Sequence, residues 1–209
     1  MANYPTSVPS ATPATHGEVV DEIVALAKDA RAHPQYIAGR WYVLPGSPAS
    51  TATMGEGELD VTWWDFPIGT VLAEIWEQVV TAGTTGAVRR VGVYAHDAAT
   101  GLPSGAPLYD GGTVSAETTG EKQWIISGGL TITSSHGIWI GGVTQGAAAT
   151  RPVMRSVNFS QRGIHASGAG LLSSVVAGLR TAAVSGALPT FSAAPPLSGI
   201  IARQAVKIG

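Results

Sequence analysis

AVRRVGVYA, residues 87–95, decides the fold. Val91, Val93 and Ala95 alternate with Arg90, Gly92 and Tyr94. A period of two marks a strand, because successive strand side chains point to opposite faces. Two segments upstream repeat the pattern. ELDVTWWDF (58–66) sets Leu59, Val61 and Trp63 against Glu58, Asp60, Thr62 and Trp64. TVLAEIWEQVV (70–80) admits a helix on its Leu, Ala and Glu content. Yet Val71, Ala73, Ile75 and Val79 share one strand face, and Gly69 and the Thr/Gly run at 81–86 bound it as a strand. RWYVL (40–44) reads as a further strand, closed by Pro45-Gly46 and followed by a polar loop to Gly57.

Downstream, HDAATGLPSGAP (96–107) reads as a loop, followed by short strands near 107–115, 121–127, 129–134 and 137–144. His136-Gly137 and Gly141-Gly142 flank or interrupt the last of these. In the final third, GLLSSVVAGLRTAAV (170–184) fits a helical turn or a strand, whereas GIIARQAVKI (199–208) alternates and reads as a closing strand. Many short strands with frequent turn signals predict a mainly β protein, an antiparallel β-sandwich of jelly-roll-like type over 38–209.

The N-terminal part differs. Residues 1–15 carry Pro5, Pro9 and Pro13 among Ser, Thr and Ala, so they read as an extended arm. Thr15 and Glu18 have capping-box spacing, and a short α-helix is expected over 16–33, before Pro34. Val19, Ile23, Leu26 and Ala30 continue a 3-4 spacing that begins at His16. A helix this short is marginal alone, so its stripe must be buried, on its own domain or against copies of itself. The second alternative makes it a trimeric stalk with those four residues at the oligomer interface.

Composition narrows the function. Of 209 residues only 12 % are charged and the net charge is −2, which leaves no basic stripe for nucleic acid. So charge-poor a chain suits a protein that lives in an assembly. Cysteine is absent, which removes disulfides and thiolate chemistry. No basic region followed by an apolar run opens the chain, and no stretch reads as a membrane span, so a protein without an export signal or membrane insertion is expected. No phosphate loop, zinc-protease, serine-hydrolase or calcium-loop motif occurs, and the five histidines have no metal-ligand spacing. Neither a cofactor nor a metal is expected. Asn158-Phe159-Ser160 is a chance-level glycosylation match.

Six Trp against three Phe is an unusual ratio. Trp63 and Trp64 are strand neighbours, so one should enter the core while the other faces a subunit, solvent or a ligand. Together with His96 and Asp97 they form the candidate ligand surface.

The chain resembles tailed-bacteriophage virion proteins: minor tail, tail-fibre and head-fibre proteins, especially of phages infecting actinobacteria. The resemblance lies in YPTSVPSATPATHGEVVDEIVALA (4–27), with its arm and H-x-x-V-x-x-E-I helix. It continues in AVRRVGVYAHDAATGLPSGAPLYD (87–110), with its LP-x-G-x-P-L turn, and in GALPTFS (186–192). It implies a homotrimer with a helical stalk and a β-sandwich head, assembled on a virion; the arm is expected to attach it there to other virion proteins, on the tail rather than the head. Before assembly it would be soluble in the host cytoplasm. The resulting expectation is a non-enzymatic structural component that contributes to binding a host cell-surface glycan. The alternatives are a head-fibre or capsid decoration protein, a free carbohydrate-binding module, or a cell-wall glycan hydrolase.

Overall fold

A computed structural model describes residues 36–43, 50–147, 149–157, 178–181, 183–192, 197–198 and 201–209. The chain divides into two units, Met1–Gln35 and Tyr36–Gly209. The arm, the helix and its stripe of Val19, Ile23, Leu26 and Ala30 therefore lie outside the described residues.

The described residues of the second unit form thirteen strands and contain no helix. The strands are β1 (Trp41–Val43), β2 (Ser50–Thr53), β3 (Leu59–Trp64), β4 (Val71–Thr81), β5 (Val88–Asp97), β6 (Leu102–Ser115) and β7 (Gly120–Thr131). The rest are β8 (Ile138–Gln145), β9 (Val153–Val157), β10 (Gly178–Thr181), β11 (Leu197–Ser198), β12 (Ile201–Ala202) and β13 (Ala205–Ile208). Every pairing of these strands is antiparallel. One sheet has the order β1-β13-β4-β9-β12, with β2 also on β9 and β7 on β4; the other runs β11-β10-β3-β8-β5-β6.

The alternation in the sequence decides what each face buries. Trp64, Val91, Val93, Ile138 and Ile140 of the six-stranded sheet share one core with Leu72, Ile75, Trp124, Val206 and Ile208 of the seven-stranded sheet. Removing such large side chains from water is the main stabilising term, about 1.5–3 kcal/mol each. The other face of the six-stranded sheet is covered as well. Leu59, Val61, Tyr94, Trp139 and Val143 pack under Val184, Leu188 and Phe191.

That cover, residues 183–192, is held by polar bonds to strand side chains. The Gln145 amide donates to the carbonyls of Val184 (2.9 Å) and Gly186 (2.8 Å), and the Tyr94 hydroxyl to that of Pro189 (3.1 Å). Asp110 takes a fork of bonds from Arg90 (2.6 and 2.7 Å) and accepts the Leu188 N–H at 3.2 Å. Burial opposes its ionisation, but Arg90 and the Gly112 and Leu188 amides hold the carboxyl below its usual value. Asp110→Ala is expected to loosen the cover, with amide exchange across 184–191 rising at least tenfold while the strand core stays protected. Uniform acceleration over the whole domain would show instead that the cover and core open together.

Three expectations need correction. The loop at 96–107 shrinks to residues 98–101, because β5 runs to Asp97 and β6 starts at Leu102. Asp97 makes the turn, accepting from Ala99 N–H (2.9 Å) and the Thr100 hydroxyl (2.9 Å). The separate strands at 121–127 and 129–134 are one strand, β7, in which Gly128 and Gly129 both take positive φ (77° and 73°). They absorb a jump in register opposite Leu72 and Glu74 rather than ending the strand. The closing strand at 199–208 is broken at Arg203-Gln204, where the chain leaves β9 and joins β4.

Candidate functional site

The strand alternation places Trp63 and Trp64 on opposite faces. Trp64 is only 5 % exposed and stacks on Phe66 (5.4 Å, 7°), so it belongs to the core and not to a ligand surface. Trp63 turns the other way, and its indole donates to the His136 carbonyl at 2.8 Å. His96 stands 6.2 Å from the Trp63 ring, so the fold does bring these two together. Its Nδ1 accepts the Trp139 indole N–H at 3.1 Å, and its ring stacks with that of His136 at 5.9 Å. Burial, then the neighbouring His136, holds the His96 imidazole below its ordinary value, while Asp97 pushes the other way. The Asp97 carboxylate faces its own turn, whose bonds hold it below the usual carboxylate value. This corner is internally bonded. The Trp63 and Trp139 indoles, the Asp97 carboxylate and the His96 Nδ1 already serve the fold.

The outward face of the seven-stranded sheet is different. The bulge between Leu72 and Glu74 puts Glu74, Trp76 and Gln78 on that face, while Ile75, Glu77 and Val79 stay inside. β1 brings Trp41 beside Trp76, edge to face at 5.0 Å, and leaves it 42 % exposed. Glu74 fixes both ends of the pair. It accepts the Trp76 indole N–H (2.9 Å) and the Lys207 ammonium (2.8 Å), which itself lies 5.7 Å from the Trp41 ring centre. The Lys207 bond, partly opposed by burial, holds the Glu74 carboxyl below its usual value.

These tryptophans form one wall of an open cavity of about 460 Å³. Arg155, Arg203 and Gln204 line it as well, with the exposed Glu121 and with Val43, itself 45 % exposed. The cavity exists because the ladder is interrupted. Ala202 still pairs with β9 and Ala205 already pairs with β4, so Arg203 and Gln204 sit at the step between them. Arg203 is anchored there by its N–H to the Arg155 carbonyl (2.8 Å).

The site holds polar groups the fold leaves unanswered. Arg203 Nε and Gln204 Oε1 are shut off from solvent with no hydrogen-bond partner among the described residues. Leaving a buried polar group unpaired costs about 1–3 kcal/mol, so the step at Arg203-Gln204 is the least satisfied part of this sheet. Among the described residues no cluster of three or more His, Asp or Glu could hold a metal ion, and no helix is long and apolar enough to cross a membrane.

The sequence carried a signal for this groove. Trp76 lies in the polar phase of its strand, between Glu74 and Gln78. An aromatic ring in an otherwise hydrophilic row is out of place in a structural face. No protein-family model matches the chain, and no curated protein matches it in sequence.

Proposed function

We propose that the β-domain binds a saccharide through the Trp41–Trp76 groove, and that it does so as a structural component of a phage virion. The observation that carries the binding reading is the Trp41–Trp76 ring pair, Trp41 42 % exposed and Trp76 partly so, lining one cavity with Arg155 and Arg203. Flat apolar rings stack on the C–H faces of pyranose rings, while amide and guanidinium groups set orientation by hydrogen bonds. Binding is favoured over hydrolysis because glycoside cleavage uses two carboxyl groups about 5–9 Å apart. Of the carboxylates at this groove Glu77 is forked onto Arg89, and only Glu121 forms no ion pair among the described residues.

The virion reading rests on the resemblance of 4–27, 87–110 and 186–192 and on the charge-poor composition. In it, a jelly-roll-like β-sandwich head stands on a trimeric stalk seamed by Val19, Ile23, Leu26 and Ala30, with residues 1–15 docking on other virion proteins. Weak single-site affinity would then be raised by three heads per trimer and many trimers per particle.

On a saccharide array, the purified protein multimerised on beads is expected to retain a defined set of glycans. Trp76→Ala and Trp41→Ala should each lower affinity about tenfold, near 1.4 kcal/mol. Failure of the wild type to retain any glycan sinks the binding reading. Light scattering at three chain masses, and antibody labelling of particles, test the virion reading separately. A monomer at micromolar concentration counts against the stalk. The groove would serve a free carbohydrate-binding module equally well, and unlabelled particles would leave that reading standing.

A further inference from the structure

We infer that the saccharide taken by the groove is anionic, its carboxylate or phosphate lying between Arg203 and Arg155. This rests on the saccharide reading above and adds the ligand's charge. Trp41, Trp76, Arg155 and Arg203 line one cavity, and Arg203 Nε has no hydrogen-bond partner among the described residues. Gln204 is only 2 % exposed and its amide reaches the interior Glu77, so it serves the buried pair rather than the ligand.

The surrounding charges are already committed in a one-sided way. Glu77 receives a double bond fork from Arg89, at 2.8 and 2.9 Å. Glu74 is taken by Lys207, Trp76 and Gln123. By contrast, the side-chain bond recorded for Arg155 goes to a neutral amide, Gln78 Oε1 at 3.1 Å. Arg203 forms no ion pair among the described residues. The exposed Glu121 offsets one of the two guanidinium charges and leaves a net positive cavity.

A guanidinium presents a rigid planar fork that matches a carboxylate or phosphate and is always charged at neutral pH. A neutral sugar hydroxyl would accept from a guanidinium N–H, but it would leave the excess positive charge uncompensated. Stacking on tryptophan together with an anion describes a sugar acid or a sugar phosphate, not a bare anion.

The test is an array of matched pairs: uronic-acid oligosaccharides against their methyl esters, and sugar phosphates against their parent sugars. The wild type is expected to bind the acidic member of one series at least tenfold more tightly in dilute buffer. That gap should narrow with added salt, as screening predicts. Arg203→Gln should erase the gap, Arg203→Lys should keep part of it, and Arg155→Gln should reduce it if Arg203→Gln proves poorly folded. Trp76→Ala should weaken both members equally and leave their ratio unchanged.

Which series shows the gap tells carboxylate from phosphate. Equal binding of charged and neutral members overturns the anionic inference while the saccharide reading stands. Retention of no saccharide overturns both, and binding of inorganic phosphate as tightly as any sugar phosphate overturns the requirement for a sugar.

Discussion

Replacing Arg89 with leucine is expected to destabilise the β-domain by about 3–5 kcal/mol, a large part of the ~5–15 kcal/mol that a domain has. Arg89 and Glu77 face each other across the two sheets with side chains 1 % and 0 % exposed. The guanidinium forks onto both carboxylate oxygens and gives its remaining nitrogen to the Thr144 hydroxyl at 3.0 Å. Gln204 adds a weaker bond to Glu77 at 3.4 Å. The pair is satisfied, so it is tolerated; removing one partner strands the other charge in a dry interior. Glu77→Leu should cost as much as Arg89→Leu. The double variant Arg89→Met with Glu77→Leu should recover most of the loss, because two apolar groups leave nothing unpaired. Urea midpoints for the three variants, combined as a cycle, check this. Additive losses in the double variant would show that packing, not stranded charge, sets the cost.

The pair also reaches the groove. Gln204 is among the groove's lining residues, next to Arg203, and bonds to Glu77, so Arg89→Leu should weaken saccharide binding even where the variant remains folded. Gly142 belongs to the same arrangement. A Cβ there would press on both the Arg89 guanidinium and the Glu77 carboxylate, which accounts for the glycine in the middle of β8. The Gly141-Gly142 step reads in the sequence as a break. It is a clearance for an ion pair that β4 and β5 bring to β8 from the two sheets.

Local pattern made part of this legible and long-range pairing hid the rest. β3, β4 and β5 follow from alternation because one row of each faces a core and the other does not. Arg89 is in phase with Val91 and Val93, and Glu77 with Ile75 and Val79. Two opposite charges in apolar phase are therefore visible in the sequence, though not that they meet. β2 and β9 were hidden because Ser50–Thr53 is short and polar and becomes a strand only by pairing with residues about a hundred positions away. Gly128-Gly129 misled for a related reason: positive φ serves a bulge as readily as a turn, and only the partner strand decides which. The groove depends on the step at Arg203-Gln204, where one apparent strand changes neighbours. No periodicity records a change of neighbour.

The remaining large effect belongs to Trp139, which separates packing from protonation at one site. It is 1 % exposed, lies in the cluster under Val184, Leu188 and Phe191, and donates its indole N–H to His96. Trp139→Ala is expected to cost about 3–5 kcal/mol through the cavity it leaves. Trp139→Phe keeps most of the apolar surface, loses one hydrogen bond, and should cost about 1–2 kcal/mol.

The histidine makes the two variants distinguishable. An indole N–H can only donate, so His96 Nδ1 accepts and the ring proton sits on Nε2 of a neutral imidazole. The folded His96 is held below its ordinary value, by burial first and His136 second. The folded state therefore binds fewer protons than the unfolded one. Its stability contribution is complete above the unfolded imidazole value near 6.5 and declines as pH falls through it, until the lower folded value is passed. Trp139→Phe removes the donor that occupies Nδ1 and should raise the His96 value. Melting temperature should then fall less steeply between pH 7 and 5 than in the wild type, and an NMR titration of the ring should move upward. An unchanged His96 titration in Trp139→Phe would mean that burial and His136 alone hold the imidazole neutral.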